Sequence, residues 1–182
     1  MKTFVQFRSI KAKLIAFSLL LLMIPLITLG YLSYQQSKSN LESVGKENLR
    51  NSVEMTIAMI EQFNQEVEAG NLSLDEAQEK VKVAILGEMD SEGKRPINKN
   101  IKLGESGYIF VVDQKGNSIA HPNIEGNNVW DEQDDNGVKY MQEIIAKGNE
   151  GGGFASYSWP LPNSDQLEEK GVYAETDPYW GW

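Results

Sequence analysis

The sequence predicts an α+β fold, in which helices accompany an antiparallel sheet, and two observations carry this prediction. First, apolar residues within 35–69 recur every three or four positions, which is the spacing of one face of an amphipathic helix. Second, the composition becomes rich in aromatic residues from about residue 101, and short apolar segments separated by turn residues follow one another there. The resulting order of helix, helix, hairpin, helix and antiparallel strands is typical of an α+β domain.

The first helix is predicted over 35–69, and Gly70 with Asn71 ends it. Its apolar face consists of Leu49, Val53, Ile57, Ile60, Phe63 and Val67. A second, short helix is predicted over 73–87, because Ser73 and Glu76 have the spacing of a capping box. The residues expected on its buried side are Ala77, Val81, Ala84 and Ile85.

The antiparallel sheet is predicted to lie within residues 104–182. The segment GYIFVVDQKGNSIAHP predicts a hairpin that turns at Lys115-Gly116-Asn117. Alternation places Ile109 and Val111 on one face and Tyr108, Phe110 and Val112 on the other. A third helix follows from about Val138 to Gly148, then GGGFASYSWPLP is the third strand, KGVYAE the fourth, and YWGW begins a fifth.

The N-terminus predicts a membrane anchor. Residues 1–13 contain Lys2, Arg8, Lys11 and Lys13 without an acidic residue, and an uncharged run follows to Ser37. Its first nineteen residues, LIAFSLLLLMIPLITLGYL, would span about 28 Å as a helix, close to the thickness of a bilayer core. A cleaved signal peptide is the alternative, but its apolar part is normally shorter and ends in small residues. We therefore expect a transmembrane signal anchor over 14–34, with 1–13 in the cytoplasm and 35–182 outside.

Composition excludes several classes of function. The chain has 182 residues, a net charge of −9, no Cys and a single His, which removes disulfides, thiol catalysis and Cys-based or multi-His metal sites. The acidic balance disfavours a nucleic-acid partner. Residues 132–143 resemble a calcium loop, but Glu132 at its first position and Lys139 at its eighth argue against one. With no G-x-S-x-G motif either, we expect no enzyme, no catalytic residue, no metal and no cofactor.

Two polar residues are candidates for binding a ligand. His121 precedes Pro122, which fixes the direction of the chain and so can aim the ring inward. Lys170 begins a predicted strand beside Tyr173, where a cation could meet a carboxylate in a partly dry pocket. The alternatives stay open: His121 could be structural, and Lys170 could be an exposed lysine that protects a sheet edge.

Aromatic residues at strand spacing are further candidates. Tyr108 and Phe110 share one face of their strand, and Tyr157 and Trp159 share a face of theirs. Such residues could simply form the core. Tyrosine and tryptophan, however, carry a polar tip that needs a partner when buried, and a small binding pocket would supply one.

The order "GYIFVVDQKGNSIAHP", "EGNNVWD", "NG" before a helix, "GGGFASYSWPLP", "KGVY" and "DPYWGW" resembles the single Cache ectodomain of bacterial methyl-accepting chemotaxis proteins. The resemblance covers residues 38–182 and is most specific from Gly104 to Trp182. It implies a PAS-like five-stranded antiparallel sheet behind the long N-terminal helix, with a small-molecule pocket that the HP step borders and a loop carrying Trp130 closes. The family continues beyond the final WGW, so we expect this chain to be an N-terminal fragment of a longer receptor.

The resemblance implies a transmembrane receptor that senses a small solute for chemotaxis. A sensor histidine kinase or a cyclic-dinucleotide synthase with the same ectodomain is the alternative. His121, Lys170 and the tyrosines suit a short carboxylate, whereas the charge of −13 beyond residue 13 would favour amines at long range. At contact distance the charge of the pocket should outweigh that screened background. The apolar stripe of the long helix also predicts a homodimer through that helix.

Overall fold

The computed structural model describes residues 9–104, 106–160 and 167–182, without the side chains of Trp159 and Pro160. The chain divides into two compact units, one up to Val44 and the other from Gly45 to Trp182. A single helix, α1, runs from Ile10 to Glu68 and contributes to both units. Each unit is described by itself.

The first unit contains the apolar part of α1. Large hydrophobic side chains from Leu14 to Tyr34 are more than half exposed, and the helix is long and apolar enough to cross a membrane. A soluble protein would rarely expose so large an apolar surface. The composition predicted this helix, and the structure confirms that it continues without a break into 35–68.

The part of α1 in the second unit has the predicted apolar stripe. Leu49, Val53, Ile57 and Phe63 are partly buried, while Ile60 is almost fully buried. After Glu68 the chain leaves the helix at Gly70, whose φ of +74° lies in the left-handed region.

Helix α2 covers Leu74–Ile85 and begins at the predicted capping box. The Ser73 hydroxyl accepts the backbone N–H of Glu76, and the Glu76 carboxylate accepts the backbone N–H of Ser73. Ala77, Val81 and Ile85 are buried as predicted. Ala84, which was also expected on the buried side, is instead exposed.

The strands form two antiparallel pairs. β1 (Val111–Val112) pairs with β2 (Ser118–Ala120), and β3 (Gly153–Pro160) pairs with β4 (Leu167–Ala174). The predicted hairpin turn is confirmed at Gly116, which has a φ of +77°. A Cβ there would lie 2.8 Å from the Cβ of Trp130, so the turn also needs a glycine for this close approach. Helix α3, Tyr140–Asn149, lies between β2 and β3 in the chain.

The fifth strand predicted at YWGW does not occur among the described residues. Residues after Ala174 instead fold around Asp177, whose buried carboxylate accepts the backbone N–H groups of Tyr179, Trp180 and Trp182. Because one side chain binds three backbone N–H groups within four residues, the segment coils into a turn and cannot extend as a strand.

Two apolar clusters lie on opposite faces of β1. Ile109 and Val111 belong to the cluster of Ile85, Leu86 and Ala120. Phe110 and Val112 pack on the cluster that α3 forms with Val129. This arrangement confirms the predicted alternation from Ile109 to Val112, whereas Tyr108, predicted on the face of Phe110, packs against the first cluster.

Candidate functional site

A small cavity of about 20 Å³ lies on the α3 face of the strands. Strands and hairpin loops supply one wall and the start of α3 supplies the other. Its polar and aromatic lining consists of Tyr108, Phe110, Ser118, His121, Tyr140 and Tyr157. A space of this size holds about one water-sized group.

A larger groove of about 570 Å³ lies within the second unit, between α1 and the strands. Its apolar wall comes from the α1 stripe at Leu49, Val53 and Ile57, and Lys170 lies on its strand side. Tyr108, Phe110, Val112 and Tyr157 line both spaces. The groove and the cavity therefore adjoin at these four residues.

His121 is held in a defined tautomer. Its Nδ1 accepts the backbone N–H groups of Asn123 and Ile124, at 3.0 and 3.3 Å. A nitrogen that accepts two hydrogen bonds carries no proton, so in the neutral ring the proton is on Nε2. Nε2 lies 3.1 Å from the hydroxyl of Tyr108 and donates to it. Tyr108 accepts this bond, so its own O–H proton can be donated to another acceptor.

The environment keeps His121 neutral. Burial, and then the positive charge of Lys170, lower the pKa of His121 to about 4, although Glu125 acts in the opposite direction. Protonation at Nδ1 would also break both hydrogen bonds that this atom accepts. We conclude that His121 orients Tyr108 and contributes no positive charge near pH 7.

Lys170 is the cation of the site. It lies directly opposite Tyr157 in the β3–β4 register, so the two side chains share one face of the sheet. The Nζ atom lies 5.8 Å from the centre of the Tyr108 ring. Partial burial lowers the pKa of Lys170 from its usual value of 10.5. The charge is therefore incompletely solvated, and a ligand anion would offset this cost.

Two tyrosines stack at the base of the site. The rings of Tyr140 and Tyr157 lie 4.5 Å apart with an angle of 16° between their planes. The hydroxyl of Tyr140 donates to Glu132, at 3.0 Å. Burial raises the pKa of Tyr157 to about 12, and burial likewise raises the pKa of Tyr108. The hydroxyls of Tyr108 and Tyr157 thus stay protonated near pH 7.

Of the predicted residues, Tyr108, Phe110, His121 and Tyr157 line the cavity, and Lys170 and Tyr173 line the adjoining groove. The side chain of Tyr173 lies on the face of β4 opposite to that of Lys170, where its ring contacts Phe154 and its hydroxyl donates to Glu175. Trp130 packs on the α3 cluster without lining the cavity. The side chain of Trp159 lies outside the described residues. For these eight residues a role in binding remains a prediction.

Sequence reasoning missed Ser118, Val129, Tyr140 and Met141, which also line the cavity. Ser118 lies on the same face of its strand as Ala120, and this alternation could have placed it inside. Tyr140 and Met141 lie in the first turn of α3, within the helix predicted from about Val138 to Gly148. The role of Tyr140 could not be predicted, because it depends on how α3 packs against β3.

A buried ion pair fixes the loop that carries His121. Arg95 is 4% exposed, and its Nε donates to Glu125 at 2.7 Å. Glu125 also pairs with Lys82 of α2 and accepts the backbone N–H of His121 at 3.4 Å. The backbone N–H of Arg95 donates to the carbonyl of Pro122. These contacts hold the His121-Pro122 step against α2. In the described part of the chain, no group of three or more His, Asp or Glu side chains could hold a metal ion.

Comparison with known proteins assigns the fold. The model of the single Cache domain 2 family matches residues 41–182. The sensor histidine kinase MctS of Rhizobium johnstonii is 35% identical over 86 residues, which are 46% of this chain and 19% of that protein. The chain thus spans about a fifth of the length of this relative.

Three solved structures share the fold. A periplasmic sensor domain of a chemotaxis protein has a TM-score of 0.58 at 24% identity and is matched over 87% of its length and 74% of this chain. A Cache chemosensory domain studied for carboxylic acid recognition has a TM-score of 0.61 at 22% identity, over 92% of its length and 79% of this chain. A methyl-accepting chemotaxis protein from Vibrio parahaemolyticus has a TM-score of 0.55 at 26% identity, over 89% of its length and 81% of this chain. Since the family model matches more than half of the chain, this protein belongs to the single Cache domain 2 family of sensor domains.

Proposed function

We propose that this chain is the sensor portion of a transmembrane receptor and binds a short-chain carboxylate at the Tyr108–His121–Lys170 site. One observation carries the proposal. Because the Nδ1 atom of His121 accepts two backbone N–H groups, Nε2 donates to Tyr108 and the tyrosine proton is directed elsewhere. Tyr108 and Lys170 then both offer donors, and a carboxylate is a group that only accepts.

The same geometry disfavours an amine as the ligand. An ammonium group needs acceptors and a negative charge, whereas the cation of the site would repel it. Glu125, beside His121, is already paired with Arg95 and Lys82. Two carboxylates also line the groove, but Glu175 accepts the hydroxyl of Tyr173 and Asp177 accepts three backbone N–H groups. The residues also support sensing rather than catalysis, because neutral His121 uses both ring nitrogens in hydrogen bonds within the chain.

Signalling for chemotaxis is the output we favour, since two of the three structural neighbours are parts of chemotaxis proteins and a third is a chemosensory domain. A sensor histidine kinase is the second candidate, because MctS, the curated relative, is one. In either case we infer that 14–34 anchors the protein, that 1–13 is cytoplasmic by the positive-inside rule, and that 35–182 is extracytoplasmic. The exposed Leu41 and Val44 of α1 support pairing of two chains along this helix.

The experiment is calorimetric titration of the full chain in lipid nanodiscs with acetate, propionate, pyruvate and lactate. Methylamine and adenine serve as the amine and purine probes. We expect at least one carboxylate to bind and both other classes to be inert. Lys170→Met, which keeps the length of the side chain and removes the charge, should weaken carboxylate binding at least tenfold, because a charge-assisted bond is lost.

Lys115→Met is the matched control. Lys115 is exposed on the hairpin turn, so this variant should bind as the unmodified chain does. Binding of an amine or purine with inert carboxylates would contradict the proposal. An equal loss of affinity in both lysine variants would show that only overall charge matters, and the assigned site would then be wrong.

A further inference from the structure

The hydroxyl of Ser118 is a buried polar group that has no hydrogen-bond partner within the described part of the chain. Ser118 is 2% exposed and lines the cavity together with Tyr108, His121 and Tyr157. Its backbone groups are satisfied, because its N–H donates to Asn127 and its carbonyl accepts from Gly126. Among the described residues, only its side-chain hydroxyl lacks a hydrogen-bond partner, and the cavity around it is otherwise lined by ring-bearing and apolar side chains.

An unsatisfied buried hydroxyl is costly, and apolar cavities in proteins seldom keep one without a reason. Alanine has the same shape apart from the oxygen, and neighbouring Ala120 is fully buried on the same strand. The oxygen at residue 118 therefore contributes nothing to packing that alanine could not supply. A polar partner from outside the chain would satisfy it.

The size of the cavity restricts that partner. About 20 Å³ accommodates one hydroxyl, one carbonyl oxygen or one water molecule. Tyr108 and Tyr157 line both this space and the groove where Lys170 lies, so the two spaces adjoin at these rings. A ligand whose carboxylate contacts Tyr108 and Lys170 would therefore present to Ser118 the single group on its adjacent carbon.

Building on the proposed function, we propose that Ser118 makes the site selective for carboxylates with a hydroxyl or oxo group on the carbon next to the carboxylate. Such a 2-hydroxy or 2-oxo acid exchanges a hydrogen bond with the Ser118 hydroxyl. An unsubstituted acid of the same length places a hydrogen atom there and leaves the serine unsatisfied. A site built around a polar group discriminates against the analogue that lacks it.

The test compares lactate with propionate, which differ only by the 2-hydroxyl, on the full chain in nanodiscs. The unmodified chain should bind lactate roughly tenfold more tightly than propionate, as one hydrogen bond to an otherwise unsatisfied group implies. Ser118→Ala should bring the ratio of the two affinities close to one, mainly by weakening lactate. Ser156→Ala removes an exposed serine hydroxyl on β3 and should leave the ratio unchanged.

The outcomes separate this inference from the proposed function. If none of acetate, propionate, pyruvate and lactate binds, the carboxylate function itself is wrong. If acetate or pyruvate binds but neither lactate nor propionate does, the function stands and the role of Ser118 is overturned. If both bind with similar affinity, or if Ser118→Ala keeps the ratio, the function stands and the role of Ser118 is overturned. Ser118→Ala without ligand should melt at or above the temperature of the unmodified chain. A clearly lower melting temperature would mean that an ordered water or another group already satisfies Ser118, which also overturns the inference.

Discussion

Lowering the pH from 7 to 5 should destabilise the protein through one residue, His121. The pKa of this ring is 6.5 in an unfolded chain and about 4 in the folded one, chiefly because it is buried. Between these values the unfolded chain binds more protons than the folded chain. The free energy of unfolding therefore falls as the pH falls through this window. His121 is the only histidine, so no other imidazole contributes.

The expected size of this effect is moderate. The ring is only partly buried, so solvent screening reduces the loss at pH 5 to about 1 kcal/mol. For a domain of this size that corresponds to a melting temperature lower by about 3–5 °C. Carboxylates contribute little in this window, because the pKa values of Glu125, Asp113 and Asp134 are lowered from values already below 5.

The assay is thermal unfolding of the full chain at pH 7, 6 and 5, compared with His121→Asn. The Oδ1 atom of asparagine can accept the backbone N–H groups of Asn123 and Ile124 as Nδ1 does, and asparagine does not titrate. The variant should lose most of the pH dependence. Chemical shifts of the single isotopically labelled imidazole give the pKa directly. A value near 6.5, or an unchanged slope in the variant, would refute both the tautomer and the burial argument.

Three further predictions concern the scaffold. Arg95→Met should lower the free energy of unfolding by about 2–4 kcal/mol, because it removes the main ion-pair partner of Glu125. Arg50→Met, which removes an exposed ion pair, should change this free energy little. Equal small losses for the two variants in denaturant titrations would contradict this prediction. Single cysteines along 35–49 should cross-link with a period near 3.5 residues if two α1 helices pair in parallel, and a flat profile would exclude such a pair. A reporter active only in the cytoplasm should stay silent when fused after Ser37, and a strong signal would reverse the inferred orientation.

The elements of this fold could be predicted because each follows from local chemistry. The capping box at Ser73 and Glu76 marks the start of α2, and the spacing of Leu49, Val53 and Ile57 marks the inner face of α1. Such signals depend on neighbours within four residues. The turn at Asp177 could not be predicted in this way. The aromatic residues after it favour a strand, and only the capture of three N–H groups by one carboxylate overrides that preference.

The candidate site shows the same division between local and long-range information. Lys170 and Tyr173 were assigned together, and both line the groove. Their side chains nevertheless point to opposite faces of β4, because the two residues are three apart in a continuous strand. The residue that does share the face of Lys170 is Tyr157, thirteen positions earlier and directly opposite in the register. Register depends on the connection between two strands and on the packing of α3 against them, and a single sequence contains neither explicitly. A cation and a tyrosine that meet only through the register can therefore be proposed as a site only after the fold is known.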